Sequence, residues 1–240
     1  MNQMPTVNKS SISALIPAFN EAGRIGLVVE VLCQVGILNE IVVVDDGSTD
    51  GTSQDAVNAA RGDPRLIVHR NEPNLGKGQA VYNGWKISSS SLVLLLDADL
   101  INLNVEHVLN LIDPVLKDGV DMTIGYFIGG YWRADLAHRI TPWLSGQRCL
   151  RSNLLRSISW NAAEGYGFET ALTMAARKNN WNCEKVPLMC LTHPLGEVPR
   201  GGYHGWGTKF LLFYQVLRAW YISRERGNAI EWIIRRVRAG

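Results

Sequence analysis

Acidic side chains stand directly after the most apolar runs of this sequence. Asp97 and Asp99 follow the aliphatic run 92–96, and a second acidic stretch, 45–50, follows the β-branched run 40–44. Carboxylates collected at one edge of a sheet repel one another unless a cation or hydrogen-bond donors join them. Mg²⁺ or Mn²⁺ prefers oxygen ligands and readily bridges to a diphosphate. Asp97 and Asp99 are therefore candidate ligands of a divalent cation, and the alternative is a solvated turn that caps a helix.

A glycine-rich segment, 74–78, precedes a helical pattern and is a candidate for binding phosphate. Gly76 and Gly78 let the backbone approach an anion, the start of the helix favours negative charge, and Lys77 adds a cation. The segment lacks the spacing of a P-loop, so on its own it is a weak signal.

The elements that must position these residues alternate along the first 125 residues. Strands are predicted at 12–18, 40–44, 66–69, 91–96 and 120–125, and helices at 21–36, 52–60, 78–88 and 104–117. Short aliphatic runs that alternate with helices predict an α/β protein with a mostly parallel central sheet flanked by helices. Ligands of such sheets bind beyond the carboxyl ends of the strands, where all the candidate residues fall.

The second half of the chain is less regular. The stretch 126–145 is predicted to be a long connection, followed by a strand at 147–150, a helix at 168–178 and a strand at 183–191. No linker interrupts the chain, so a single domain over 1–240 is expected.

Composition excludes several classes of protein. The chain has 240 residues, 46% of them hydrophobic, which is too apolar for a disordered chain. No aliphatic run is long enough to span a bilayer, and no charged-then-apolar signal pattern precedes Ser11, so we expect a cytoplasmic protein. The net charge of +2 gives no reason to expect a nucleic-acid partner. The charge is unevenly distributed along the chain. The segment from Arg200 onward has eight cationic and two anionic residues and a net charge of +6, whereas the preceding residues have a net charge of −4.

The motifs, taken in this order, resemble those of the family 2 glycosyltransferases of the GT-A fold. The matching strings are Pro17-Ala18-Phe19-Asn20-Glu21, Val44-Asp45-Asp46-Gly47-Ser48-Thr49-Asp50, Asn74-Leu75-Gly76-Lys77-Gly78 and Asp97-Ala98-Asp99. The four strings together are specific to this family, although each string alone is not. The resemblance implies a Rossmann-like GT-A domain and a nucleotide-diphosphate sugar as donor.

The resemblance also implies roles for residues of the first half. Asp97-Ala98-Asp99 would be the family's Asp-x-Asp element, with Asp99 favoured as the direct metal ligand and with Mg²⁺ or Mn²⁺ as cofactor. Lys77 would lie near the base or the phosphates. The base and ribose of the donor would be held by Pro17, Ala18, Asn20, Glu21 and Asp46.

Two strings of the second half, Ser145-Gly146-Gln147-Arg148 and Gly165-Tyr166-Gly167-Phe168-Glu169, are similar to those of two groups of relatives, the polyprenyl-phosphate sugar transferases and glucosyl-3-phosphoglycerate synthase. This similarity implies Glu169 as the catalytic carboxylate and His193 as a further metal ligand, with Arg148, Gly165 and Tyr166 at the acceptor. The alternatives are that Glu169 only favours the dipole at a helix start and that His193 is a hydrogen-bonded structural residue. The domain would then divide into a donor half at about 10–125 and an acceptor half at about 126–200.

The remaining segment, about 201–240, is basic and amphipathic. A helix predicted over 206–223 places aromatic residues beside cations, which is typical of a helix lying on anionic lipid. A core helix with a basic outer face and a homodimer contact are the alternatives. With the first interpretation, the protein would be peripheral at the inner face of the membrane.

The resulting expectation is a metal-dependent glycosyltransferase that moves a sugar to polyprenyl phosphate at a membrane surface. Transfer to a small anionic acceptor such as 3-phosphoglycerate is the first alternative. A sugar-nucleotidyltransferase or a non-catalytic nucleotide-sugar-binding module is the second. The nucleotidyltransferases typically carry a Gly-rich loop after the first strand, where this chain has Pro17-Ala18-Phe19-Asn20.

Overall fold

The computed structural model of the protein describes residues 10–117, 119–129, 145–160 and 167–193. Its strands are β1 (Ile12–Ala18), β2 (Glu40–Asp45), β3 (Leu66–Arg70), β4 (Leu92–Leu95), β5 (Met122–Ile128), β6 (Arg148–Arg151) and β7 (Cys183–Met189). Its α-helices are α1 (Ile25–Cys33), α2 (Thr52–Ala60), α3 (Lys77–Ile87), α4 (Val105–Lys117) and α5 (Gly167–Lys178). A 3-10 helix, Ser152–Ser157, follows β6.

Within the described ranges, seven strands form one sheet in the order β3-β2-β1-β4-β6-β5-β7. All adjacent pairs are parallel except the two that involve β6, which runs antiparallel to both β4 and β5. The carboxyl ends of β1, β2 and β4 therefore lie at one edge of the sheet, together with the start of β6. We call this the carboxyl edge, and the opposite one the amino edge.

The strands form because their apolar side chains are buried on both faces of the sheet. In β1, Ile12, Ala14 and Ile16 pack into the core beneath α1, α2 and α4, whereas Leu15 faces the core beneath α3 and α5. Such two-sided burial is why the strands of a parallel sheet read as continuous apolar runs. The result is a three-layer α/β sandwich, as the sequence predicted.

The predicted elements agree with the observed ones to within a few residues, with one exception at α1. That helix was expected from residue 21 but begins at Ile25, because residues 21–24 form a turn in which Arg24 N and Ile25 N both donate to the Glu21 carbonyl oxygen. The helix predicted over 206–223 lies outside the described residues. Among the residues described, no helix has the length and apolar character needed to cross a bilayer.

Candidate active site

Two loops at the carboxyl edge are joined by hydrogen bonds between their backbones and short polar side chains. Asn20, which has a positive φ of 57°, accepts a hydrogen bond from Thr49 N at 2.9 Å through its Oδ1. Its own N–H donates to Ser48 Oγ at 2.9 Å. Ala18 is buried and its carbonyl oxygen accepts from Asp46 N at 2.8 Å. The predicted donor-binding segment 17–21 is therefore held rigidly against the loop that follows β2.

Asp46 holds the glycine-rich segment in place. Its carboxylate accepts hydrogen bonds from Asn71 Nδ2 at 2.8 Å, from Leu75 N at 3.0 Å and from Gly76 N at 2.7 Å. Beside it, Gly47 has a φ of +78°, and a Cβ there would come within 2.9 Å of Asn74 N. Only glycine fits this close approach without strain. The contact of Asp46 with the nucleotide stays a prediction, because here its carboxylate is occupied in shaping the loop.

The predicted metal ligands converge at the carboxyl edge. Asp97, Asp99 and His193 each offer a ligand atom, and these three atoms lie within 4.8 Å of one another. Asp97 and Asp99 point to the same side because Ala98 between them is buried in the core. His193 is brought to them by the bridge between Ile101 and Thr192, which fastens the end of the chain segment after β7 to the segment after β4.

His193 lies between the two carboxylates. Its Nδ1 is 2.9 Å from Asp99 Oδ1 and its Nε2 is 3.7 Å from Asp97 Oδ2. Burial alone would lower the pKa of His193, but the hydrogen bond to Asp99 and the charges of Asp97 and Asp99 together raise it above its usual value. The two carboxylates therefore favour the protonated imidazole over the neutral one.

Lys77 joins the cluster of Asp97, Asp99 and His193 to Glu169. Its Nζ lies 2.6 Å from Asp97 Oδ1 and 2.5 Å from Glu169 Oε1, at the first residue of α3. Glu169 stands in the first turn of α5 and is almost completely buried. One ammonium group thus bridges two carboxylates that the sequence places 72 residues apart, and it connects the predicted donor and acceptor halves.

The charges of this bridge stabilise one another. Burial by itself would lower the pKa of Lys77, but Asp97 and Glu169 raise it well above its ordinary value. Burial would likewise raise the pKa of Asp97, but the charges of Lys77 and His193 and hydrogen bonds from Lys77 and Gln147 lower it to about 2. Asp97 and Lys77 are therefore both ionised throughout the physiological range.

Three residues directly before β6 fix the position of the Asp97 carboxylate. Gln147 Nε2 donates to Asp97 Oδ2 at 2.7 Å, and Ser145 Oγ donates to Gln147 Oε1 at 3.0 Å. A Cβ on Gly146 would lie only 2.6 Å from each Asp97 carboxylate oxygen. Gln147 and Gly146 were not predicted from the sequence to belong to the site. Their signal was their membership of the Ser145-Gly146-Gln147-Arg148 string that marked the resemblance.

Arg148, expected at the acceptor, is fully buried in this structure. Its guanidinium donates to the backbone oxygens of Ser145 at 2.9 Å and Glu169 at 3.3 Å, and to Thr173 Oγ1 at 3.1 Å. Burial lowers its pKa to about 10, although the charge of Glu169 acts in the opposite direction. The guanidinium therefore ties β6 to the start of α5, and its contact with the acceptor stays a prediction.

Glu21, in the loop after β1, is an acidic group whose burial is only partly compensated. Its Oε2 is buried 2.7 Å from Arg24 Nε but is not aligned for a hydrogen bond. Burial first, and then the negative charges of Asp99, Asp50 and Asp97, raise its pKa to about 7, while Arg24 acts in the opposite direction. The other predicted acceptor residues, Gly165 and Tyr166, lie outside the described part of the chain.

Comparison with known proteins assigns the family. The sequence profile described as Glycosyl transferase family 2 matches residues 13–179. The chain belongs to this family and is a nucleotide-sugar-dependent glycosyltransferase. A relative from Methanocaldococcus jannaschii, itself uncharacterized, is 37% identical over 78% of this chain and 84% of its own length.

Two further similarities concern proteins of stated activity. Polyprenol monophosphomannose synthase of Mycolicibacterium smegmatis is 31% identical over 78% of this chain and 80% of its own length. Glucosyl-3-phosphoglycerate synthase of Mycobacterium tuberculosis, solved with Mn²⁺, uridine diphosphate and glucosyl-3-phosphoglycerate, superposes with a TM-score of 0.71 at 24% identity, over 92% of this chain and 82% of that one. The resemblance to both groups is confirmed, as is the GT-A-like fold.

Proposed function

We propose that this glycosyltransferase moves a sugar from a nucleotide-diphosphate sugar to a polyprenyl phosphate, with Mg²⁺ or Mn²⁺ as cofactor. The observation that carries the proposal is the meeting of Asp97, Asp99 and His193 with the Lys77–Glu169 pair at the carboxyl edge of the sheet. An acceptor of this kind would bring the protein to a membrane surface.

The donor atoms of the site suit these metal ions. Two carboxylates and an imidazole whose ligand atoms lie within 4.8 Å of one another can share one ion, and carboxylate oxygens are the ligands that Mg²⁺ and Mn²⁺ prefer. Asp99 and His193 are partly exposed, so both can reach a ligand. When bound, such an ion neutralises the charge that develops on a departing diphosphate.

The chain's own residues would act by holding and orienting the reactants. Asn20 and Glu21 would contact the nucleotide. Lys77 would place positive charge near the diphosphate as its bond to the sugar breaks. A phosphate oxygen of the acceptor would attack the anomeric carbon, forming the new C–O bond as the bond to the diphosphate breaks. Positioning and leaving-group electrostatics would then supply most of the rate enhancement.

The state of Glu169 supports an acceptor that is already ionised. A general base must be free to take a proton, and the Glu169 carboxylate is paired with Lys77 at 2.5 Å. A polyprenyl phosphate needs no deprotonation, because its oxygen carries a negative charge at neutral pH. Glu169 would instead orient the acceptor or a sugar hydroxyl. The 31% identity to polyprenol monophosphomannose synthase over most of both chains supports the same acceptor.

Transfer to a small anionic acceptor is the second candidate. It is supported by the likeness in fold to glucosyl-3-phosphoglycerate synthase, and by the position of His193 beside Asp99. A hydroxyl acceptor of that kind would require Glu169 to leave Lys77 before it could act as a base.

Product analysis tests the acceptor directly. The full chain is incubated with Mn²⁺ or Mg²⁺ and a panel of nucleotide sugars, together with either polyprenyl phosphate or 3-phosphoglycerate. We expect lipid-linked sugar only with the first acceptor. Sugar transferred to 3-phosphoglycerate alone would replace this proposal with the second candidate. Formation of a nucleotide sugar from a nucleoside triphosphate and a sugar phosphate would overturn both.

A further inference from the structure

We propose that a second site, at the amino edge of the sheet, binds a phosphate-bearing anion. A cleft of about 560 Å³ opens there between the end of α3, the start of β4 and the 3-10 helix after β6. We call it the amino-edge cleft. Its walls are formed by Trp85, Lys86, Ser88, Ser89, Ser90, Ser91, Arg151, Ser152, Asn153 and Arg156.

Three cations line the amino-edge cleft without a matching number of anions. Lys86 and Arg156 are exposed, and neither has a carboxylate within ion-pair distance among the residues that the structure describes. Arg151 lies 3.9 Å from Asp121, at the outer limit of an ion pair, and its Nη2 donates to the Val115 carbonyl oxygen at 3.4 Å. Guanidinium and ammonium groups gathered in this way favour phosphate oxygens.

One carboxylate other than Asp121 approaches the cleft, and its oxygens are already engaged. Glu40 accepts hydrogen bonds from Ser13 Oγ at 2.5 Å and from Ser89 Oγ at 2.5 Å, and a third from Ser89 N at 3.2 Å. The Glu40 carboxylate is thus stabilised by hydrogen bonds from serine residues. The three cations of the cleft outnumber the two neighbouring carboxylates, and within the described ranges only Arg151 lies within 4 Å of either of them.

The walls also supply neutral donors in fixed positions. Trp85 Nε1 donates to Ser152 Oγ at 2.9 Å, and the Trp85 ring stacks on Trp160 with centroids 5.7 Å apart. Ser90, in the opposite wall, has a buried Oγ without a hydrogen-bond partner in the described structure. A buried hydroxyl left unpaired is costly, and an anion or water in the cleft is a natural partner for it after a small movement of the turn.

The amino-edge cleft is separate from the site proposed for the donor diphosphate. It lies at the start of β4, beside Ser91, whereas Asp97 and Asp99 follow the other end of that strand. The extended chain between Ser91 and Asp97 spans about 20 Å. Because β6 is antiparallel to β4, Gln147 and Arg148 lie at the carboxyl edge, whereas Arg151 lies at the amino edge beside the cleft. One phosphate group cannot contact both edges.

The ligand is defined by this chemistry as a phosphate monoester or a diphosphate, small enough for the cleft and able to contact at least two of its cations. Such a group could belong to a soluble metabolite or to an anionic lipid headgroup. Either ligand would bind away from the reacting atoms, and so would act on the protein's location or stability rather than as a substrate.

Titration of the full chain with inorganic pyrophosphate tests the site. The buffer contains EDTA, so that no divalent ion draws the probe to Asp99, and the ionic strength is held constant. The readout is the NMR signal of the Trp85 indole N–H, assigned by its loss in Trp85→Phe. We expect a saturable shift in the wild type and a dissociation constant raised about tenfold or more in Lys86→Ala/Arg156→Ala.

A matched control separates a local site from overall charge. Arg61→Ala/Lys185→Ala also removes two positive charges, from an exposed position directly after α2 and an exposed position on β7. We expect it to bind pyrophosphate as the wild type does. A shift that never saturates, or an equal dissociation constant in the cleft variant and the wild type, would overturn the proposal.

Sedimentation with vesicles distinguishes the two sources of phosphate. Phosphatidylcholine vesicles containing phosphatidylglycerol are compared with vesicles of phosphatidylcholine alone. Binding to the anionic vesicles that falls in Lys86→Ala/Arg156→Ala, but not in the control variant, identifies a lipid headgroup. Vesicle binding that is equal in all three proteins, together with the selective loss of pyrophosphate binding, identifies a soluble ligand.

Discussion

Helix α3 carries one lysine at each end, and the two lysines are in opposite circumstances. Lys77, at the carboxyl edge, is bonded to two carboxylates and largely buried, whereas Lys86, at the amino edge, is exposed and has no anionic partner in the described ranges. The difference follows from burial, because an ammonium group withdrawn from water must find compensating charge and an exposed one need not.

The same contrast extends to the two edges of the sheet. At the carboxyl edge the carboxylates of Asp97, Asp99 and Glu169 outnumber the single lysine that pairs with two of them, so that the charge of Asp99 remains to attract a divalent ion. At the amino edge the cations outnumber the acids, which favours an anionic ligand. Reactive and binding potential therefore arises where charges of one sign remain in excess after the internal pairs are formed.

The largest effect on activity is expected when Asp99, a partly exposed carboxylate at the carboxyl edge, is removed. Asp99→Ala should reduce turnover by about 10²–10³-fold, because charge on the departing diphosphate would no longer be stabilised. Release of nucleoside diphosphate from the donor, in the presence of acceptor, measures this. Asp113→Ala is the control, since Asp113 is exposed and contacts Lys117. Full activity in Asp99→Ala, or in wild type treated with EDTA, would contradict the metal-dependent mechanism.

Replacing the two lysines tests the comparison most directly. Lys77→Met should lower the free energy of unfolding by about 2 kcal/mol, because it strands two neighbouring carboxylates, one of them buried, although partial exposure of Lys77 moderates the cost. Lys86→Met should change it by less than about 0.5 kcal/mol. Urea denaturation at pH 7 measures both. Adding Glu169→Gln to Lys77→Met should recover part of the loss, and equal effects of the two Lys→Met changes would refute the contrast.

A smaller change probes the support of Asp97. Gly146→Ala places a methyl group within 2.6 Å of the Asp97 carboxylate and should displace it, reducing kcat/KM by about tenfold. Gly36→Ala is the matched control, because a Cβ there meets nothing within 4 Å. Steady-state kinetics and thermal unfolding of both variants distinguish misplacement of Asp97 from loss of the fold. Similar kinetics in the two variants would show that the carboxylate adapts.

The smallest effect concerns Glu21 and depends on pH. Its pKa of about 7 in the folded protein exceeds the ordinary glutamate pKa of 4.5, so the folded state binds more protons than the unfolded state between these two pH values. Stability from this group is present below about pH 4.5 and is lost as pH rises through about 7. As the pH rises from 5 to 8, the free energy of unfolding of Glu21→Gln should therefore increase by about 1–2 kcal/mol relative to that of the wild type, after allowance for solvent screening. A difference that does not vary with pH would contradict this.

The sequence predicted the parts of the fold whose signals are local. The strands β1, β2 and β4 are apolar runs ended by Pro, Asp or Gly, and each ends at the edge where ligands bind. Asp97 and Asp99 could be placed together from their spacing alone. The sheet order could not be predicted, because inserting β6 between β4 and β5 is a pairing between segments far apart in the chain.

The site was predicted less completely, for a related reason. Arg148 was predicted to contact the acceptor because it belongs to the string that is similar to the relatives, and a string carries no information about burial. Its burial depends on backbone oxygens of Ser145 and Glu169 that only the folded chain brings to it. The Lys77 bridge likewise depends on a meeting of α3 and α5 for which no sequence spacing gives a signal.

The reversed direction of β6 has a consequence for how substrate choice can evolve. Strand β5 ends at the carboxyl edge and β6 begins there, so Ile128 and Arg148, the last and first residues of these strands, lie at the same edge of the sheet. An insertion, deletion or exchange between these two points need not disturb the strand pairings among the described residues. The length and composition of this connection can therefore change while the sheet that carries Asp97 and Asp99 is kept.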